Sequence, residues 1–387
     1  MPRYVKLGEV PHKRHTQMRS PEGALYTEQV FGTKGFSGIS STLYHVNLPT
    51  QIAGYEPVSS PATDIIAEEP LHHLHLKTGC IGAAGDPVTG RVPLLANPDV
   101  TMSICRPADE MNYLYKNADG DELIFVHDGT GVLESMFGNL PFGPGDYLVV
   151  PRGVIFRLSG LSGGMRLLVF EAASAIEIPR RYRNEYGQLL EHAPYSERDI
   201  RVPEELVTHT ERGRFEVRIR ARGRTTAYYY DFHPLDAVGW DGYVYPWAFN
   251  IADFEPITGL VHQPPPTHQT FEGHNFVICS FVPRMLDYHP QAIPIPYNHS
   301  NLDSDEVLYY VNGNFASRRG IEQGSITLHP SGLPHGPQPV AVEASLGKSR
   351  TEELAVMLDT FRPLRPTRSA MALADDAYPF SWRPRDA

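Results

Sequence analysis

PYNHSNLDSDEVLYYVNGNF at residues 296–315 and GSITLHPSGLPHGP at residues 324–337 decide the reading of this chain. His299 is followed seven residues later by Glu306, and Glu306 seven residues later by Gly313. After Gly324 come five residues and Pro330, one residue and Gly332, then two residues and His335. Glu306 opens a run of strand-forming residues, Val307, Leu308, Tyr309, Tyr310 and Val311. A strand there puts Glu306, Leu308 and Tyr310 on one face and Val307, Tyr309 and Val311 on the other. Ser300 to Ser304 is polar turn material, and Gly313 permits the turn that ends the strand. A second strand is expected over Ser325–His329. Pro330 and Gly332 then bend the chain and aim His335 inward. An antiparallel return brings two imidazoles and one carboxylate to a single point. Two His and one carboxylate with open positions suit non-haem Fe(II) and O2 chemistry.

A weaker copy of the pattern lies upstream. Glu122 precedes Gly129 by the same interval, and Gly145, Pro151, Gly153 and Phe156 repeat the spacing of Gly324, Pro330, Gly332 and His335. Tyr115 and Asn117 stand where His299 and Asn301 stand. The copy keeps its turn residues and lacks both imidazoles, so Glu122 alone will not hold a metal. Paired motifs of this spacing belong to the cupin barrel, a double-stranded β-helix. The fold class expected is mostly β, a bicupin with few short helices, a degenerate N-terminal barrel and a metal-binding C-terminal barrel. The expected division is an N-terminal β-rich extension over 1–94, the degenerate barrel over 95–175, a connector over 176–239, and the catalytic barrel with its tail over 240–387. One strand, Arg214–Ile219, is expected within an otherwise solvated connector.

The bulk numbers agree. The chain has 387 residues, 41% apolar and 20% charged, which suits a soluble globular protein with a large core. It has 35 Pro and 33 Gly, which break it into short strands. A net charge of −11 disfavours nucleic acid and anionic membranes as partners. No apolar run is long enough for a transmembrane helix, and the first residues lack an apolar signal core, so a cytoplasmic location is expected. Three scattered cysteines, Cys80, Cys105 and Cys279, do not make a disulfide framework.

The sequence also resembles a known family, the homogentisate 1,2-dioxygenases, and in particular their shorter actinobacterial-type branch. The likeness runs nearly end to end. It includes LYTEQVFG at 25–32, RYRNEYGQLLEHAPYSERD at 181–199, GWDGYVYPWAFNIADFEPITG at 239–259 and HQPPPTHQTFEGHNFVICSFVPR at 262–284. It continues through PYNHSNLDSDEV at 296–307, LHPSGLPHGPQP at 328–339 and ELAVMLDTFRPL at 353–364. The resemblance implies Fe(II) held by His299, Glu306 and His335, with O2 as co-substrate. It implies ring opening of homogentisate to maleylacetoacetate in tyrosine and phenylalanine breakdown, within a homo-oligomer. It makes Tyr297 a pocket wall and His329 a hydrogen-bonding support of the ligands. Ile251 stands where the family carries an acid–base histidine, and Phe315 falls near a substrate-contacting tyrosine.

A base is needed for the substrate phenol. The candidates are His262, His268 and His329, with His274 the weakest. His262 and His268 flank Pro264–Pro266, a stiff loop. Tyr297, Asn301 and Phe315 are the expected substrate contacts. His72, His73 and His75 form HHLH, and alternation puts His73 and His75 on one strand face. They are read as structural, at a subunit contact. Trp240, Trp247 and Tyr228–Tyr230 are read as packing. Other readings are a dioxygenase for another dihydroxy-aromatic acid such as gentisate, a Zn-dependent cupin isomerase, and a non-enzymatic binding bicupin.

Overall fold

Short apolar runs ended by Gly, Pro and Asn become strands throughout the computed structural model, which describes residues 3–59, 63–66, 70–312, 320–338 and 341–383. Gly313 and Phe315 lie outside these. Among the described residues α-helix is confined to Ala341–Ser345 and Arg368–Met371. The expected mostly β bicupin is what forms.

The first barrel is built from two sheets. One has eight strands, with Asp121–Asp128 flanked by Asp146–Val150 and Arg166–Ala172. The other has seven and includes Leu114–Asn117 and Phe156–Ser159. The second barrel contributes a six-stranded sheet in which Asp305–Asn312 lies between Leu354–Thr360 and Ile326–His329. The repeat is visible in the backbone. Gly145 and Gly324 take φ +87° and +84°, and Gly153 and Gly332 take +82° and +80°. These are left-handed conformations that L side chains avoid, which is why both copies keep glycine there.

The alternation read into Glu306–Val311 sorts the core. Val307, Tyr309 and Val311 join the main apolar cluster shared with the first barrel. Leu308 and Tyr310 face the other way, into a small cluster with Cys279 and Met357 inside the second barrel. The barrels thus pack sheet against sheet. Tyr309 Oη and His127 Nδ1 are 2.5 Å apart across that contact, and Tyr147 Oη and Ser280 Oγ 2.9 Å.

The expected domain boundaries need correction. Residues 176–239 are not a connector. Arg212–Ala221 and Arg224–Phe232 form a hairpin inside the seven-stranded sheet, with Val217 and Ala227 fully buried. The charged residues on it misled the reading, because one face of an antiparallel sheet can stay solvated. Residues 1–94 are not one extension. Leu74–Leu76 adds the edge strand of the second barrel's sheet, while Arg91–Ala96 belongs to the first. Trp247–Asn250, expected in the second barrel, pairs with Asp146–Val150 of the first. Arg365–Pro366 near the C-terminus also returns to the first barrel. The barrels therefore exchange strands at both ends. Trp240 and Trp247 are fully buried, as read.

Candidate metal centre

His299 and His335 are directly opposed on antiparallel segments. The amide of each donates to the carbonyl of the other, both at 2.8 Å. This close pair holds the two rings 4.3 Å apart. Gly336 makes the approach possible, since a Cβ there would sit 2.3 Å from Asn298 Oδ1 and 2.7 Å from its Cα. Glu306 rises from the neighbouring sheet to meet them. Its carboxylate oxygens stand 3.4 Å from His299 Nε2 and 3.4 Å from His335 Nε2. One ligand atom from each of the three residues lies within 4.8 Å of the others.

Hydrogen bonds fix which nitrogen each ring presents. His299 Nδ1 lies 3.1 Å from the Tyr297 carbonyl and His335 Nδ1 3.2 Å from that of Leu333. A carbonyl only accepts, so each Nδ1 carries a proton and each Nε2 faces Glu306, donating to the carboxylate when the ring is protonated and offering a lone pair to a cation when it is neutral. His335 Nε2 is buried and makes no hydrogen bond among the described residues. A buried acceptor without a donor is costly unless something else takes its lone pair. Two neutral imidazoles and a carboxylate fit Fe(II), Mn(II) or Zn(II).

Behind Glu306 stands His329, fully buried. Its Nδ1 is 3.0 Å from Glu306 Oε1 and its Nε2 3.1 Å from Tyr378 Oη. The carboxylate accepts from Nδ1–H, so Nε2 accepts from the tyrosine hydroxyl. Burial alone would raise the Glu306 carboxyl. The imidazoles of His299, His329 and His335 outweigh it and hold the group well below the usual carboxylate range.

Two neighbours escaped the sequence reading. Asp359 lies directly across the sheet from Glu306. Burial, reinforced by the Glu306 charge, pushes its carboxyl well above the ordinary value. The first barrel repeats this geometry, with Glu122 opposite Glu171. There Arg91 does what a metal would do. Its guanidinium meets both Glu122 oxygens at 3.0 and 2.8 Å and reaches Glu171 at 3.3 Å. The only signal for either arrangement was strand pairing, which a single sequence does not print. His73 is the second miss. It is not a remote surface residue, since its ring lies 5.5 Å from that of His329 and 6.0 Å from that of His335. The expected alternation does hold, for His75 is buried on the same sheet and its Nε2 lies 2.9 Å from Ser325 Oγ.

A cavity opens beside His299. Its walls include Tyr297, His262, His268, Phe281, Arg284 and Asp287. The Tyr297 ring lies 5.1 Å from His262 and 5.9 Å from His299. His262 Nδ1 is 3.4 Å from Asp287 Oδ2. His268 ends a short 3-10 turn, Pro265–His268, pinned where Arg181 donates to the Pro266 carbonyl at 2.6 Å. Burial, with the nearby Arg284 and His262 charges, lowers the His268 imidazole to about 3. Asn301 is not on this cavity wall, and its carbonyl accepts from the Gly332 amide at 2.7 Å. Ile251 is buried in the main core.

Fold and site define a double-barrel cupin with a His–Glu–His candidate metal centre. A model of the homogentisate 1,2-dioxygenase N-terminal region matches residues 88–251. The chain is 42% identical over 382 residues to "Putative dioxygenase SSO1533" of Saccharolobus solfataricus, covering 98% of each chain. It belongs to the homogentisate dioxygenase-like family of dioxygenases. Solved structures share less. A cupin 2 conserved barrel domain protein from Leptotrichia buccalis is 11% identical over 81% of this chain and 98% of its own, with a TM-score of 0.31. A glyoxylate-induced protein from Pseudomonas aeruginosa is 13% identical over 80% and 97%, with a TM-score of 0.35. These likenesses are too distant to bear on function.

Proposed function

We propose that this dioxygenase is Fe(II)-dependent and opens the ring of homogentisate with O2, giving maleylacetoacetate in the breakdown of tyrosine and phenylalanine. The observation that carries the reading is the meeting of His299, Glu306 and His335, in a chain of this family, next to a cavity walled by Tyr297, His262, His268 and Phe281. His299, Glu306 and His335 would hold the iron. When bound, iron supplies the route by which electrons pass between an electron-rich ring and O2.

The protein's own groups do the rest. His299 and His335 are held by carbonyls, and Glu306 by His329, so the three donors are in place before any ligand arrives. His329 is engaged at both nitrogens, which suits a positioning residue. His268 is buried and stays neutral, too weak a base near neutral pH. His262 is half-exposed on the cavity wall, with Asp287 to orient it. It is the group assigned to take the phenolic proton, in place of the histidine that Ile251 replaces. Tyr297 forms the wall between His262 and His299.

The test is O2 uptake by anaerobically purified protein loaded with Fe(II), given homogentisate, gentisate or 3-hydroxyanthranilate. Uptake with homogentisate and the absorbance of a ring-opened enol is the expected result. Uptake with another acid alone reassigns the substrate. Tight zinc and no uptake with any of the three sinks the oxygenase assignment.

A further inference from the structure

The proposed cleavage needs more than a metal centre, because an aromatic ring must also be held in one orientation. Arg284 is the cavity's unclaimed charge. It sits on the short ladder Arg284–Met285 with Arg350–Thr351, so its backbone is fixed. Among the described residues its guanidinium gives one hydrogen bond, from Nη1 to the Val282 carbonyl at 3.2 Å. It lies 5.6 Å over the Phe281 ring. The nearest carboxylates, Glu353 and Asp287, are not within ion-pair distance among the described residues. Burial therefore lowers its pKa, against the pull of those two groups. A half-buried guanidinium on a cavity wall with most of its five donors unspent favours an anion beside it.

Phe281 also carries the second observation. His268 packs there with ring centroids 4.5 Å apart, and its Nδ1 is buried with no hydrogen-bond partner among the described residues. His268 is only 5% exposed. A buried imidazole and a half-buried guanidinium thus border one aromatic side chain on the wall that leads to His299.

We infer that Arg284, supported by His268, is the anchor for the carboxylate of the substrate, and that it aims the ring at His299, Glu306 and His335. This rests on the proposed ring cleavage for the identity of the ligand, and on the geometry alone for the anion site. A carboxylate suits Arg284 because the planar fork gives two parallel hydrogen bonds, which fix orientation as well as affinity.

Three measurements decide it. In the Fe(II)-loaded enzyme, Arg284→Met is expected to raise KM for homogentisate about 100-fold with little change in kcat, as loss of a buried charge-assisted contact does. The same variant should leave the constants for methylhydroquinone, which has no carboxylate, unchanged. Arg284→Lys keeps the charge and loses the fork, so a rise of about 10-fold is expected. In metal-free protein, 2-hydroxyphenylacetate should bind to the wild type by calorimetry and not to Arg284→Met. The wild type gives an answer even if the Met variant fails to fold, since phenylacetate should compete with homogentisate and benzyl alcohol should not. Unchanged KM for homogentisate in Arg284→Met, or equal inhibition by phenylacetate and benzyl alcohol, overturns the anchor. A wild type that oxidises neither hydroquinone but still binds 2-hydroxyphenylacetate through Arg284 defeats the oxygenase reading and upholds the anion site.

Discussion

Glu306 is the residue on which the centre turns, and its neighbours explain its state. It is buried yet ionised because imidazoles surround it on three sides. His329 and Tyr378 set its orientation, so their loss should be felt by a metal held at the centre without touching it. His329→Ala is expected to weaken Fe(II) affinity about 10- to 100-fold, and Tyr378→Phe less, read by competition with a chelator. If both variants hold iron as the wild type does, the supporting role assigned to His329 is wrong. Arg91 is the corresponding residue of the first barrel. Arg91→Met leaves Glu122 buried without its cation and should cost about 3–5 kcal/mol in denaturant unfolding. Adding Glu122→Gln should recover part of that loss, because the stranded charge is gone.

Among the elements, the strand Leu74–Leu76 connects the centre to a distant part of the chain. Its three residues are all buried, and it closes the edge of the sheet that carries His329. Leu76→Ala should destabilise the protein by about 2–5 kcal/mol through the cavity it leaves. It should also loosen His75 and the adjoining His73, whose ring lies 6.0 Å from that of His335. Iron affinity measured on the folded variant checks the second effect, and unchanged affinity would confine the strand to a packing role. The C-terminal turn Tyr378–Phe380 and Trp382 pack against the histidines of that segment, with His75 5.4 Å from the Tyr378 ring and His73 5.2 Å from the Trp382 ring. Trp382 Nε1 donates to the Gly336 carbonyl at 3.2 Å, directly after His335. Spacing could announce the strand that bears Glu306 because its period is local. It could not announce these two partners, which lie next to the ligands only after the sheet closes.

At the scale of the whole molecule, both barrels share one apolar core, and neutral imidazoles are built into it. His127 and His233 are each lowered to about 4 and His268 to about 3, with burial the main cause in all three. An unfolded histidine titrates near 6.5. Between that value and the folded ones the unfolded chain binds more protons, so stability rises with pH there and falls as pH drops. The melting temperature should fall steeply from about pH 6.5 towards pH 4. His233→Phe should flatten part of that slope, and a slope unchanged by the substitution would show that other groups carry it.

Residue order alone settled the repeat, the strand faces and the three converging donors. Each of these follows from periods of two along a strand and from glycines at left-handed turns, which are properties of neighbouring residues. The domain limits were drawn in the wrong places, because charged Arg212–Phe232 looks solvated until its other face is covered. Arg91 beside Glu122, Asp359 beside Glu306, Tyr378 behind His329 and Arg284 on the cavity wall were fixed only by folding. Their partners lie tens of residues away, and only packing of the sheets brings such groups together where water is excluded and they must be matched.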